Sequence, residues 1–412
     1  MASQTSGNRA AEAFLRSADD LKASLADMSE DDRMRIVLRM YELMIDVESP
    51  WDTYMRLYLS EASFLQRPSV LAALETFESL QLFEKWNENG NRPATETELA
   101  QWVATPCDPA LLRRLLRLLA ANRLIKITDL GKFEPTPFFA QLADNNYKHM
   151  LHFHHKFTVP MLHHMPMFLK KTNFVNPTRS RDTMFDSAFN WEGGLFGYLE
   201  KYPEEGKGFN VVQKLSTSSQ ARWTSVYPCH TLLDSDPSLP LLVDVGGSIG
   251  QDLKPFLEKY PETASRLYLQ DLPSVIADED ACQVKGINKL AYDFFKPQPI
   301  KHARAYYMHH ILHDWPDKIV LKILENQKIA MKPGYSKMLI HDHVLDDRRP
   351  VHPHAASYDI TMMAFGSAKE RTEREWRELI ESIGLKIVKI WGSPSSVQGI
   401  LEVVLMEGAA KL

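Results

Sequence analysis

Cysteine is nearly missing. Cys107, Cys229 and Cys282 are the only three in 412 residues, too few and too scattered for a disulfide framework or a clustered zinc motif. They read as buried thiols in a protein of a reducing compartment. No run approaches the roughly 18–20 apolar residues that a membrane span needs. The polar start, Met1 to Arg9, has no apolar core of the kind a secretory signal carries. Positive charge is not in excess either: 48 Lys and Arg against 53 Asp and Glu leave a net charge of −5. That argues against a bulk surface for nucleic acid or anionic membrane and leaves room only for a local basic patch. Repeats and low-complexity tracts are lacking. What is there is ordinary for a cytoplasmic globular enzyme, with 44% hydrophobic and 25% charged residues. The length suffices for two or three domains.

The first part, 1–145, reads as a helical dimerisation domain. Ala10–Leu25 and Asp31–Ile45 each carry one apolar stripe at spacings of three and four. Such stripes need a partner, either a second copy or the second domain. Helices follow at Val70–Phe77, at Thr95–Val103 and at Asp108–Asn122. Thr95 with Glu98 gives a capping box. Leu124–Ile127 and Lys132–Pro135 form a hairpin around Asp129–Gly131. Helix, helix, hairpin is a winged-helix arrangement. Many such units bind DNA, but Arg113, Arg114 and Arg117 are the main cations of the second helix and do not make a basic recognition surface. A structural or dimerising wing, with no nucleic-acid partner, is the expectation.

The second part, 146–236, is a helical linker rich in histidine, methionine and aromatics. His149, His152, His154, His155, His163 and His164 invite a metal reading. Acidic co-ligands and regular spacing are missing, so no metal is expected. Met161, Phe185 and Trp191 suit the wall of a pocket for a flat apolar acceptor, and equally an interdomain core.

From 237 to 412 the pattern changes to short apolar runs alternating with amphipathic helices. Leu241–Val245, Arg266–Gln270, Lys289–Tyr292, Ala303–Met308 and Lys337–Ile340 read as buried strands. Gln251–Lys259, Leu272–Ala277, Lys318–Met331 and Glu373–Ile383 read as helices. The alternation predicts an α/β, Rossmann-like doubly wound sheet. Lys386–Trp391 and Gly399–Met406 add an antiparallel pair at its edge. The linker ends near Ser216–Pro240.

The segment Leu241–Gly250, LLVDVGGSIG, is a strand running into a glycine-rich turn. Such turns let backbone approach a ligand closely, at the sheet edge where doubly wound folds bind ligands. The spacing Gly246-Gly247-x-x-Gly250 differs from the dinucleotide G-x-G-x-x-G. Asp244, just before the glycines, suits a sulfonium amino acid better than a pyrophosphate. Asp271 ends the second strand and can accept both ribose hydroxyls, although a helix cap is its other reading. Asp293 can accept from an adenine amino group, with Phe294 on the ring face. His309, His310 and His313 close the fourth strand. Four ligand-facing features after four successive strands point to cofactor binding far more specifically than any one of them.

On these residues the sequence resembles the S-adenosylmethionine-dependent O-methyltransferases that act on small secondary metabolites, their fungal branch in particular. Val243–Gly250, Leu312–Asp317 (LHDWPD) and Lys369–Trp376 (KERTEREW) carry the resemblance most clearly. It implies S-adenosylmethionine as cofactor and a homodimer built through the N-terminal helices. It makes His313 the general base, a largely neutral imidazole at pH 7 that takes the proton of an acceptor hydroxyl as oxygen attacks the methyl. Glu370 matches one flanking acid and Asp342 the other, Asp standing where Glu is usual. Met362 and Met363 fall where the family lines its acceptor pocket. Ser248 replaces a common glycine, His309 stands where plant members often have lysine near the cofactor, and His341 is an extra imidazole. Some fungal relatives bind the cofactor yet catalyse pericyclic ring formation or dehydration. Retention of His313 favours methyl transfer, while the histidine-rich stretch would suit a cyclase.

Overall fold

A computed structural model describes residues 2–47, 68–179, 181–218, 222–277, 284–346, 348, 351, 353–392 and 398–406. Cys282 and part of the expected linker boundary (219–221) lie outside the described residues. The chain separates into two compact units, the N-terminal helices and the rest. In the first, the two striped segments are helices Ala2–Ser24 and Glu30–Val47, with Phe14, Leu15, Val37 and Met40 exposed.

The second unit begins with helices Pro68–Ser79, Leu82–Glu88, Glu96–Trp102 and Pro109–Ala121, followed by a hairpin of β1 (Ile125–Ile127) and β2 (Phe133–Pro135). The capping box at Thr95 and Glu98 is complete, and Asp108 accepts from the Ala110 N–H. Leu112, Leu116 and Leu119 bury one face of their helix against Phe77, Phe83, Trp86 and Phe139. Helix Leu82–Glu88 escapes a reading by pattern because it starts from Gln81 in the left-handed conformation, with no capping side chain to announce it. Helices Asn145–Phe153, Val159–Lys171, Met184–Phe189 and Gly194–Lys201 then pack around Phe153, Phe157, Met161, Phe185 and Leu199.

The sheet holds β3 (Leu242–Val245), β4 (Leu267–Asp271), β5 (Asn288–Ala291), β6 (Ala305–His309), β7 (Lys337–Leu345), β8 (Arg371–Thr372), β9 (Leu385–Gly392) and β10 (Gln398–Leu405). Its order is β5-β4-β3-β6-β7-β10-β9, with β8 beside β7. The pairs among β3 to β7 are parallel, and β10 is antiparallel to β7 and β9. The chain builds outward from β3 to β5 and then returns to the other side of β3. That reversal opens a crevice at the carboxyl ends of β3 and β6. One expectation needs correction: the third run, read as a buried strand, is the exposed edge strand β5, whose Asn288, Lys289 and Ala291 face water.

Side-chain alternation sorts the sheet's two faces. Val243, Val245, Tyr306, Met308, Met338 and Ile340 pack with Val320, Ile323 and Trp376. Leu242, Ala305, Tyr307 and Leu339 pack on the opposite face with Trp223 and Phe256. By the same period Asp244, His309 and His341 belong to the second face. Cys229 is buried there, whereas Cys107, also expected buried, is only half-buried.

Candidate active site

The glycine turn after β3 is shaped by close approach. A Cβ on Gly247 would sit 2.4 Å from Asp244 Cγ and 2.6 Å from Leu269 Cδ1, so no side chain fits there. Gly246 has φ +72, and a Cβ there would meet Ile311 at 2.6 Å and Phe294 at 3.8 Å. Phe294 therefore borders the turn. Asp271 Oδ2 accepts from the Ser248 N–H at 2.8 Å, and its Oδ1 from the Leu272 N–H at 2.7 Å. Asp293 accepts from the Phe295 N–H at 2.9 Å. Burial raises both Asp244 and Asp271 above the usual carboxylate range. Asp252 and Asp271 push Asp244 further, while the two backbone donors oppose the rise at Asp271. Asp244 Oδ2, Ser248 Oγ and His309 Nε2 are buried without a hydrogen-bond partner. Each such atom costs about 1–3 kcal/mol. A ligand with positive charge and several polar groups would satisfy the turn.

His309, at the end of β6, meets Asp252 and His341. Its Nδ1 lies 3.0 Å from Asp252 Oδ2, and its ring stacks on His341 at 4.0 Å. The role of His341 follows from its contacts: Nδ1 is 2.8 Å from the Tyr307 hydroxyl, beneath His309. Asp252 and Tyr307 were not singled out from the sequence.

His313 sits on the turn Leu312–Asp314 and is 3% exposed. Its Nδ1 is 2.8 Å from Glu370 Oε1, and its Nε2 is 3.6 Å from Asp314 Oδ1. His343 Nδ1 lies 2.9 Å from the same Glu370 oxygen, without hydrogen-bond geometry. His310, held at φ +53, stacks on His313 at 4.9 Å and bonds to Gln398. Arg371, buried beside Glu370, ties this turn down. It donates to the Leu312 carbonyl at 3.1 Å, the Trp315 carbonyl at 2.8 Å and Asp317 at 2.9 Å. Asp342 is fully buried and neither of its oxygens has a partner.

Charge decides the protonation here. Burial alone would lower the His313 imidazole, but Glu370 first and Asp314 next override it and raise it to about 10. Glu370 is held far below the usual carboxylate range, because His313 and His343 outweigh its burial. Burial pushes Asp314 up to about 7 and Asp342 up to about 6. Burial and neighbouring imidazoles hold His310 and His341 well below the ordinary range. Glu370 and Asp314 thus favour the protonated form of His313, against the neutral form that its ordinary pKa favours at pH 7. His343, Glu370 and His313 bring three donor atoms within 4.8 Å of one another, so among the described residues metal-ligating types gather at the sheet rather than in the histidine-rich stretch.

A cavity of roughly 180 Å³ opens on this cluster. His310, His313 and Asp314 line its sheet side, Met150, Phe153 and Phe209 its helical side, and Tyr358 and Met362 of the helix Pro353–Gly366 also line it. Met161 and Phe185, expected on the wall, are fully buried in the aromatic core, and Trp191 and Met363 pack against that core. Trp191 donates to the Gly194 carbonyl at 3.1 Å. The same apolar composition serves wall and core, and here it serves core.

The O-methyltransferase domain family matches residues 172–386. The chain is 42% identical to the O-methyltransferase mfmE of Annulohypoxylon moriforme over 92% of both chains. Among solved structures, one described as a pericyclic reaction enzyme is 28% identical, with a TM-score of 0.84 over 96% of this chain and 100% of that one. LepI in complex with SAM is likewise 28% identical, with a TM-score of 0.85 over the same shares.

Proposed function

The chain belongs to the O-methyltransferase family, and on that premise we propose that it methylates a hydroxyl of a small aromatic or polyketide-like secondary metabolite with His313 as the base. It is an S-adenosylmethionine-dependent O-methyltransferase. The cofactor supplies a methyl group already activated by a sulfonium charge. The carboxylates around the glycine turn and the unpartnered Asp244 and Ser248 oxygens there fit that cation. Asp244, Gly246 and Gly247 would hold its amino-acid end, Asp271 the ribose, and Asp293 with Phe294 the adenine, while His309 borders the site through Asp252.

The observation that carries the base assignment is the 2.8 Å contact between His313 and Glu370 at the cavity. A ring raised to about 10 matches a phenol, whose pKa is also about 10, so the proton moves between near-equal partners. Glu370 and Arg371 hold the ring and its turn, and Asp342 and Asp314 share the charge. Activity should therefore climb with pH through the alkaline range. Dimerisation through the N-terminal helices, a winged-helix role for the hairpin unit, the division at 145 and 236, and a cytoplasmic setting belong to the same reading. No described helix is long and apolar enough to cross a membrane.

A second reading rests on the raised proton affinity of His313 and the likeness to a pericyclic enzyme: an imidazolium can polarise a carbonyl without any methyl moving. Methyl-labelled cofactor and a set of small phenols separate the two. Labelled product with S-adenosylhomocysteine supports methylation; altered acceptor with neither leaves the cyclase. His313→Ala should lower methylation by roughly 10²–10⁴-fold with cofactor affinity unchanged by calorimetry, and wild-type turnover in that variant would remove His313 from the chemistry.

A further inference from the structure

Of the histidines between 149 and 164, His154 lines the cavity. Others are engaged elsewhere. His149 and His152 edge a separate polar hollow with Glu75, Glu78, Glu204 and Glu205, and His164 meets the Ser187 hydroxyl at 2.9 Å.

The backbone is built to aim His154. Helix Asn145–Phe153 passes into a π turn, His154–Thr158, in which the Val159 N–H donates to the His154 carbonyl. A π turn inserts one residue into helical register and redirects the side chains beside it, a device frequent at functional sites. Its Nδ1 lies 3.1 Å from the Thr158 hydroxyl, which faces the same cavity, and Phe153 meets the ring edge-on at 5.9 Å. The ring is therefore fixed on two sides in a mainly apolar wall of Met150, Phe153, Phe209 and Val212, to which Gln213 also belongs. Burial, with no carboxylate to counter it, lowers His154 to about 4, so the ring is neutral at physiological pH and carries one N–H and one lone pair.

We propose that His154 is a second polar anchor for the acceptor, donating its Nε2–H to a neutral carbonyl oxygen remote from the reacting hydroxyl, while Thr158 donates to Nδ1. The acceptor class is then a carbonyl-bearing hydroxyaromatic. A carboxylate is disfavoured at that end, because a neutral ring in an apolar wall does not repay the desolvation of a charge. The inference rests on the acceptor reading given above, and binding tests it without turnover.

The probes are 7-hydroxycoumarin, which has a carbonyl across the ring system from its hydroxyl, and 2-naphthol, of similar size with none. Calorimetry on protein saturated with S-adenosylhomocysteine should show the wild type preferring 7-hydroxycoumarin by about tenfold. His154→Leu should bind the two alike, with 2-naphthol affinity unchanged, and His154→Gln, which keeps a donor, should recover part of the preference. The unchanged 2-naphthol affinity doubles as the check that the variant is folded. A wild type that binds both alike or neither, or a leucine variant that keeps the preference, overturns the anchor. Failure of methyl transfer appears separately, in the labelled-cofactor assay.

Discussion

His313 and His154 face one cavity, and the chain treats them in opposite ways. His313 is buried and His154 half-buried, and desolvation drives both rings toward the neutral form. On the sheet side Glu370, Asp314 and Asp342 reverse that drive, and His313 rises to about 10. On the helical side nothing opposes it, and His154 falls to about 4. Burial alone therefore does not set the proton affinity of a histidine; a carboxylate 2.8 Å away outweighs it. The difference divides the labour of the site. The sheet side holds charge, at the base and at the cofactor turn. The helical side holds shape and neutral polarity.

The largest effect that would sharpen this division belongs to the cofactor turn. Gly247→Ala places a methyl 2.4 Å from Asp244 Cγ, and the displacement of that carboxylate should weaken S-adenosylhomocysteine by about a hundredfold. Calorimetry checks it, and an affinity within threefold of wild type would break the link between the turn and the cofactor. Next comes Glu370→Gln, which removes the charge that raises His313. The rising limb of kcat/KM should move from near 10 toward neutrality. Stability reports the same change. Because the folded pKa of His313 lies above its unfolded value of about 6.5, the pairing stabilises fully below that pH and its contribution fades as pH rises through the folded value. Wild-type urea midpoints should fall between pH 7 and 10, and the Gln variant should fall less. Equal falls would put the charge elsewhere.

How much of this was legible in the sequence differs between the two sides. Strands β3, β4, β6 and β7 and the glycine turn announce themselves by apolar runs and local spacing, and Asp244 is read directly from the turn it precedes. The pairing of His313 with Glu370 spans 57 residues, and only family resemblance joined them. His343, Asp252 and Arg371 stayed hidden for the same reason: each acts on a group from a distant strand or turn. Along the helical side the histidines were visible as a cluster, but a π turn has no sequence signature of its own, so nothing distinguished His154 from its five neighbours. Methionine and aromatics look alike in a wall and in a core, and Met161 and Phe185 were placed by composition on the wrong side of that line. The strand β5 looked buried because its apolar residues were read without knowing that it ends the sheet.

The acid side tests the helical half. A folded pKa near 4 for His154 lies below the unfolded value of about 6.5, so the folded state binds fewer protons and loses stability as pH falls through that window. His154→Leu should blunt the loss between pH 6.5 and 4, while Glu370→Gln leaves it in place. His310 and His341 are held low as well, so part of the loss remains. If the leucine variant and the wild type lose stability in parallel, His154 is protonated in the folded chain and the contrast with His313 collapses.

The smallest effect concerns Ser248, the one residue of the turn with a side chain at positive φ, +51. A non-glycine residue in that region costs about 1–2 kcal/mol, and its hydroxyl is buried without a partner. Glycine relieves both, but it returns conformational freedom to the unfolded chain at about 0.4–1 kcal/mol. The two backbone contributions leave a balance of about 0 to 1.6 kcal/mol in favour of Ser248→Gly, the freed hydroxyl adds to it, and the Tm of the ligand-free protein should rise by a few degrees. Cofactor decides whether the serine has a purpose. If its hydroxyl meets the bound cofactor, the variant gains stability alone and loses affinity, so the two melting curves converge when S-adenosylhomocysteine is added. If both curves rise together, the serine is strain that the sheet side carries without use, and its charge, not its turn chemistry, is what sets it apart from the helical side.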